Sequence, residues 1–218
     1  MPERANRRLP PEERRRQIVA ATIETIAALG LQQATFARIA ERGGLSSTRL
    51  ISYHFAHRRE LLRAAVLHVH GMIGAHVADR IAGAADPRGE LLTYIRAVVE
   101  FVDAHRTEMR ALLLIHLQDD PGAERTYNAG TERGVLGAIE DMLGRGQRAG
   151  LFREFDTFVM AATVQRAVDG IPFLLQSEPD LDLSGYADEL AALFDHATSA
   201  RRPARPARPA PEAPGQRP

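Results

Sequence analysis

Residues 35–62, TFARIAERGGLSSTRLISYHFAHRRELL, constrain this chain more than any other stretch. Two short runs with helical spacing flank a glycine pair, and a third run starts almost at once. Thr35 is placed to cap a helix beginning at Phe36, with Ile39 and Ala40 facing inward. Gly43 and Gly44 end it, since glycine tolerates the left-handed backbone that a helix C-terminus favours. Leu45 is an apolar plug in the turn. Ser46 is placed to cap a second helix over 47–54, held to the first by Leu50 and Ile51. Ser47, Thr48, Arg49 and Ser52 then face outward. Arginine binds guanine edges bidentately, and hydroxyls reach bases or phosphates, so such a helix suits a major groove. This is the grammar of a helix-turn-helix, and it points to double-stranded DNA. A glycine between amphipathic helices also occurs in ordinary αα-hairpins. The caps, the turn plug, the basic flank and the Tyr53-His54-Phe55 exit favour DNA.

The distribution of charge supports a division of labour. The net charge of zero conceals 11 Arg against 6 acidic residues in 1–60, 12 against 21 in 61–200, and 5 against one in 201–218. A basic head on an acidic body suits a phosphate-binding module joined to a regulatory domain, and the body would repel DNA and orient the molecule. All 28 basic residues are arginine, a bias that high-GC coding explains without function. Hydrophobic residues make up 44% of the 218, enough for a buried core. Scarce β-branched runs, and prolines gathered mainly toward the ends, predict an all-α fold. The absence of cysteine excludes disulfides, thiolate metal sites and cysteine nucleophiles. No uninterrupted apolar span approaches the roughly 20 residues of a membrane helix, and the basic N-terminus lacks an apolar signal core. The expectation is a cytoplasmic protein without membrane contact.

Along the chain, the spacing predicts about nine helices. Residues 1–9 read as a disordered basic arm. Pro10 and Pro11 open a helix to about Leu29, stopped by Gly30, with Arg14, Arg15 and Arg16 as possible phosphate contacts or simply a solvated face. The helix starting at Arg58 extends to about Ile81. Asp86-Pro87 opens the next, to about Ala104, and another covers about 107–117. Asp119-Asp120-Pro121-Gly122 breaks the chain before a glycine-rich helix over about 123–148. Asp156 caps a long apolar helix to about Gln176, and Ser184 caps the last, from Tyr186 to about Ala200. The Arg/Pro/Ala tail 201–218 is low in complexity and reads as disordered. The domains are therefore a head at 10–58 and a body at 59–200, between the arm and the tail.

The segment 35–62 resembles the N-terminal DNA-binding domain of the TetR family of transcriptional regulators. The matching positions are Thr35, Ile39-Ala40, Gly44-Leu45-Ser46, Tyr53-His54-Phe55 and Leu61. Leu45 stands where valine is usual and Arg58 where lysine is usual. One extra residue separates the serine from the aromatic pair, which leaves the register of individual base contacts open but not the motif. The resemblance implies DNA contacts from Thr35, Ser46, Ser47, Thr48, Arg49, Ser52, Tyr53, His54 and Arg58, the last on phosphate. It also implies a homodimer on a palindromic operator, with the last two helices as the interface. Phe158, Ala162, Ile171, Leu175, Leu190 and Phe194 are the candidates there. An unknown small-molecule effector would lie inside the body. Polar groups stranded on apolar helices (Arg110, His116, Gln165 and Asp169) and the possible walls Phe101, Met109 and Phe173 are candidates for contacting it. Pro172 either kinks its helix beside that pocket or ends it early.

The reading is a ligand-released repressor. Its rivals are an activator or regulator without a ligand and a helical enzyme, although no catalytic constellation is present. No cofactor is expected. His68, His70 and His76 are not spaced as adjacent-turn metal ligands, so no metal is expected either.

Overall fold

Local capping sets where the helices begin. The computed structural model describes residues 9–117 and 129–200, and ten helices lie among them: α1 Pro11–Leu29, α2 Phe36–Arg42, α3 Arg49–His54, α4 Arg58–Ile81, α5 Pro87–Ala104, α6 Arg106–Leu117, α7 Ala129–Arg148, α8 Thr157–Asp169, α9 Ile171–Ser177 and α10 Leu183–Thr198. Among the described residues there is no strand, only an isolated bridge between Phe152 and Ser199. The all-α expectation holds. Thr35 Oγ1 accepts from the Arg38 N–H at 3.4 Å, Asp86 from Gly89 at 2.8 Å and Asp156 from Val159 at 3.0 Å. These three caps are among the five the sequence indicates; Ser46 and Ser184 cap no helix. The expected arm and tail, the break at 119–122 and the start of the seventh helix fall wholly or largely outside the described residues.

Three boundaries differ from expectation. The long helix over 156–176 is two helices, because α8 ends at Gly170 and α9 restarts with Pro172 in its first turn. There its missing N–H costs no helical bond, so the proline accompanies an early helix end rather than an interior kink. The last helix begins at Leu183, capped by the Asp182 carboxylate, which accepts from Ser184 at 3.1 Å and Gly185 at 3.2 Å. Ser184 is therefore inside the helix. The second helix of the glycine-turn motif begins at Arg49, preceded by Thr48, which makes no side-chain cap.

The head packs α1, α2 and α3 around Ile18, Ile26, Ile39, Ile51 and Phe55, all essentially without exposure. Burying an aliphatic or aromatic side chain of this size contributes about 1.5–3 kcal/mol. Leu61, Ala65, Val66 and Val69 of α4 continue this core into the body. There α5 is central, packing against α4, α7, α8, α9 and α10. The head rests on two body helices, since α1 lies along α6 as well as α4. The glycine-rich α7 is shaped by one neighbour: a Cβ at Gly146 would fall 2.1 Å from the buried Phe152 ring.

By length and mean hydropathy of 1.3, α4 and the run Thr157–Ser177 match a membrane span. That run is interrupted at Gly170, and both stretches place residues in the protein core.

Candidate functional site

The turn before α3 is built from two glycines with different tasks. Gly44 adopts φ 61, the left-handed region where a side chain is strained. Gly43 has an ordinary φ of −78, but a Cβ there would stand 2.9 Å from the Ala21 Cβ on α1. The Gln17 amide donates to the Gly43 carbonyl at 2.7 Å, and Leu45 N–H donates to the Ala40 carbonyl at 2.8 Å. The turn is thus fastened to both α1 and α2.

Residues 46–48 lie in the turn ahead of α3, and Leu50 and Ile51 N–H donate to the Ser47 and Thr48 carbonyls. Ile51 and Phe55, four apart, are both fully buried, and this fixes the rotation of α3. Arg49, Ser52 and Tyr53 consequently lie on the exposed side, with Tyr53 at 81% exposure. Ser46, Ser47 and Thr48 are exposed beside them. His54 is half-buried with its ring edge-on to Tyr53 at 5.1 Å. Thr35 is exposed, with its hydroxyl engaged in the α2 cap.

Two arginines that the sequence offers to phosphate are turned inward. Arg58 donates to the Ala34 carbonyl at 2.7 Å and to the Leu31 carbonyl, clamping the start of α4 to the loop between α1 and α2. In this chain the Arg58 donors thus serve backbone carbonyls of that loop. Arg59, next in the chain, is exposed. Arg15 donates to the His54 carbonyl at 2.7 Å, pairs with Glu60 at 3.3 Å and lies 4.1 Å above the Phe55 ring. The Ala56 N–H above all, together with Arg15, holds the Glu60 carboxyl below its ordinary range. Arg16 and Arg49 remain exposed.

Inside the body lies a cavity of about 660 Å³, bordered by α4 through α9. Of the residues expected there, Met109, His116, Gln165, Asp169 and Phe173 line it. Phe101 and Arg110 do not. Phe101 is buried in the core, stacked 4.3 Å from His105, and Arg110 points to solvent. The sequence reading missed Tyr94, His70 and Arg166. Tyr94 sits in an apolar run and looks like ordinary core, and only the 165/169 spacing was legible as a polar stripe. The Tyr94 hydroxyl donates to Gln165 Oε1 at 2.5 Å, and Gln165 Nε2 donates to Asp169 Oδ1 at 2.7 Å. Arg166 donates to Glu132 at 2.7 Å and lies 3.4 Å from Asp169. His70 and His116 face each other with ring centroids 6.3 Å apart. Burial, and secondarily His116, pushes the His70 imidazole down to about 4. Desolvation holds the Asp169 carboxyl above its ordinary range, against the pull of Arg166 and Gln165.

The expected interface residues divide by exposure. Phe158 is 49% exposed, and Ala162, Leu175 and Leu190 are half-buried. Ile171 and Phe194 are buried in this chain's own core, which leaves them no surface for a partner. Val159 on α8 and Leu193 on α10 are exposed apolar residues on the same two helices.

No family model matches the chain. It superimposes on a bacterial regulatory protein in the tetR family from Rhodococcus RHA1 with a TM-score of 0.73, at 20% identity, over 87% of this chain and 99% of that one. The chain has the TetR-family fold. A second solved structure with this fold, the fatty acid degradation regulator FadR from Bacillus halodurans, gives a TM-score of 0.76 at 19% identity, over 84% and 94% of the two chains. FadR from Bacillus subtilis, solved with stearoyl-CoA, gives 0.72 at 17% identity, over 82% and 96%. In sequence, the chain is 42% identical over 88 residues to the HTH-type transcriptional regulator BetI 1 of Chromohalobacter salexigens, covering 40% of this chain and 41% of that protein. It is 30% identical over 125 residues to BetI of Burkholderia cenocepacia, covering 56% and 64%. The chain thus spans between about two fifths and two thirds of the length of these two curated relatives.

Proposed function

We propose that this TetR-fold protein is a sequence-specific DNA-binding transcriptional repressor, acting in the cytoplasm as a homodimer on a near-palindromic operator and released by a small molecule held in the body. The observation that carries the reading is the rotation of α3. Ile51 and Phe55 are committed to the core, so Arg49, Ser52 and Tyr53 are presented together beside the serines of the turn. The regulator names of the BetI relatives and the stearoyl-CoA bound in one FadR neighbour support it.

The geometry supplies a route from cavity to head. α4 starts at the Arg58 clamp and lines the cavity from His70 to Ile81. α6 lines it through Met109, Leu112, Leu113 and His116 and also packs on α1. A ligand filling the cavity therefore pushes on two helices that support the head. Two recognition helices must enter major grooves about 34 Å apart, so a modest change in their spacing prevents simultaneous docking. The ligand acts only to the extent that it prefers the DNA-incompetent state.

Arg49→Ala tests the reading. It is expected to lose discrimination between operator and random DNA by roughly 1–3 kcal/mol, because a bidentate base contact disappears while phosphate contacts stay. Mobility-shift titrations on both DNAs measure this. Equal losses on the two would instead make Arg49 a phosphate contact.

A further inference from the structure

With 6 residues, α3 is too short to hold its own conformation, so its neighbours decide how it is presented. Ile51 and Phe55 fix which face points inward, but apolar burial is non-directional and leaves the tilt of the helix to directional contacts. Those contacts gather at its C-terminal end. The Arg15 guanidinium, reaching from α1, donates to the His54 carbonyl at 2.7 Å and to Glu60 Oε1 at 3.3 Å, and it lies 4.1 Å from the centre of the Phe55 ring. Glu60 Oε2 accepts from the Ala56 N–H at 2.8 Å, and the Glu60 N–H donates to His57 Nδ1 at 3.1 Å. One arginine and one carboxylate thus tie together α1, the end of α3, the link 55–57 and the first turn of α4.

The side chains of this pair are 36% and 37% exposed, and an ion pair so open to water contributes little to stability. Its consequence is geometric, because a planar guanidinium serves its acceptors in fixed directions and a point charge does not. We infer that Arg15 is a positioning residue for DNA readout: it acts through the His54 carbonyl and Glu60 to hold the C-terminal end of α3 at one tilt, and it does not bind phosphate. The inference rests on the reading of α3 as the helix that enters the major groove. Base contacts from Arg49 and Ser52 demand hydrogen-bond geometry, so a small change of tilt removes them. Attraction to phosphate is indifferent to sequence and survives such a change. Glu60 separates geometry from charge. By charge alone, removing this carboxylate from the head tightens binding to every DNA, whereas a lost tilt weakens binding to the operator.

Fluorescence anisotropy of the full-length protein tests this, with duplex DNA from upstream of its own coding region, scrambled DNA of equal length and a range of salt concentrations. Arg15→Met keeps an aliphatic stem over Phe55 and removes the guanidinium. It is expected to weaken binding to the upstream DNA at least roughly tenfold, while scrambled DNA binds within about twofold and the salt dependence on it is unchanged. The melting temperature should stay within about 4 °C of wild type. Arg15→Lys should not restore the preference for upstream DNA, since it returns the charge without the fork. Glu60→Ala should lose the same preference, and the double variant should cost no more than the larger single loss. If Arg15→Met fails to fold, Arg15→Lys and Glu60→Ala decide the matter. Equal losses on both DNAs with a salt slope shallower by roughly one per lost contact would make Arg15 a phosphate ligand and overturn the inference. Wild-type discrimination in Arg15→Lys, or tighter binding of both DNAs by Glu60→Ala, would overturn it too and leave α3 as the DNA reader. A wild-type protein without preference for the upstream DNA would overturn both readings.

Discussion

Phe158→Asp is expected to convert a homodimer into a monomer and to weaken operator binding by at least roughly 100-fold, the usual scale when two linked binding events are reduced to one. Phe158 is 49% exposed on α8, close to the exposed Val159, while Leu193 is exposed on α10. A carboxylate placed there would be desolvated without a partner in a paired interface, at a cost of several kcal/mol. It would cost little in an isolated chain, where half of the side chain already faces water. The two outcomes separate cleanly. Light scattering should report the monomer mass, circular dichroism should be unchanged, and mobility shift should show the loss on a two-half-site operator. A variant that remains dimeric would place the interface elsewhere.

Acidification should expose the second large effect. The folded-state pKa of His70 lies near 4, below the ordinary value of 6.5, because burial first, and the facing His116 second, disfavours the imidazolium. The unfolded chain therefore binds this proton more readily. The stability associated with neutral His70 is fully present above pH 6.5 and is lost as the pH falls toward 4. The loss amounts to about 3 kcal/mol. Glu60 and Asp195, whose carboxyls are held low, change stability in the same direction, and Asp169, held high, opposes them. Comparison with His70→Gln isolates the imidazole. Urea unfolding at pH 7.5, 5.5 and 4.0 should give a wild-type curve that falls more steeply than that of the variant. Parallel curves would mean that His70 takes up its proton as easily folded as unfolded.

The parts that sequence made legible were those governed by neighbours along the chain. Thr35, Asp86 and Asp156 cap where a side-chain oxygen two or three residues ahead of free N–H groups must cap. Gly30 and Gly44 stop or turn the backbone where only glycine is comfortable. The outward set Arg49 and Ser52 followed from the inward Ile51. What sequence left unseen depended on contacts across the fold. Arg58 reads as a phosphate ligand from its position and charge, and its hold on carbonyls 24 and 27 residues away was not legible there. Phe101 and Met109 are equivalent as apolar residues of the body and both are buried, but only Met109, on α6, also borders the cavity. Ile171 and Phe194 were selected by periodicity, which marks a face as buried without saying whether its own chain or another buries it. Pro172 left two outcomes open, and the placement of Gly170 before it decided in favour of a helix end.

The central claim is that α3 reads a DNA sequence. Fluorescence anisotropy of the full-length protein addresses it directly, with DNA from upstream of its own coding region, scrambled DNA of equal length, and a range of salt concentrations. The account predicts binding to the upstream DNA tighter than to the scrambled DNA by roughly a thousandfold or more, with the logarithm of affinity falling linearly as the logarithm of salt rises. Equal affinity for the two DNAs, or no binding to either at low salt, would contradict it.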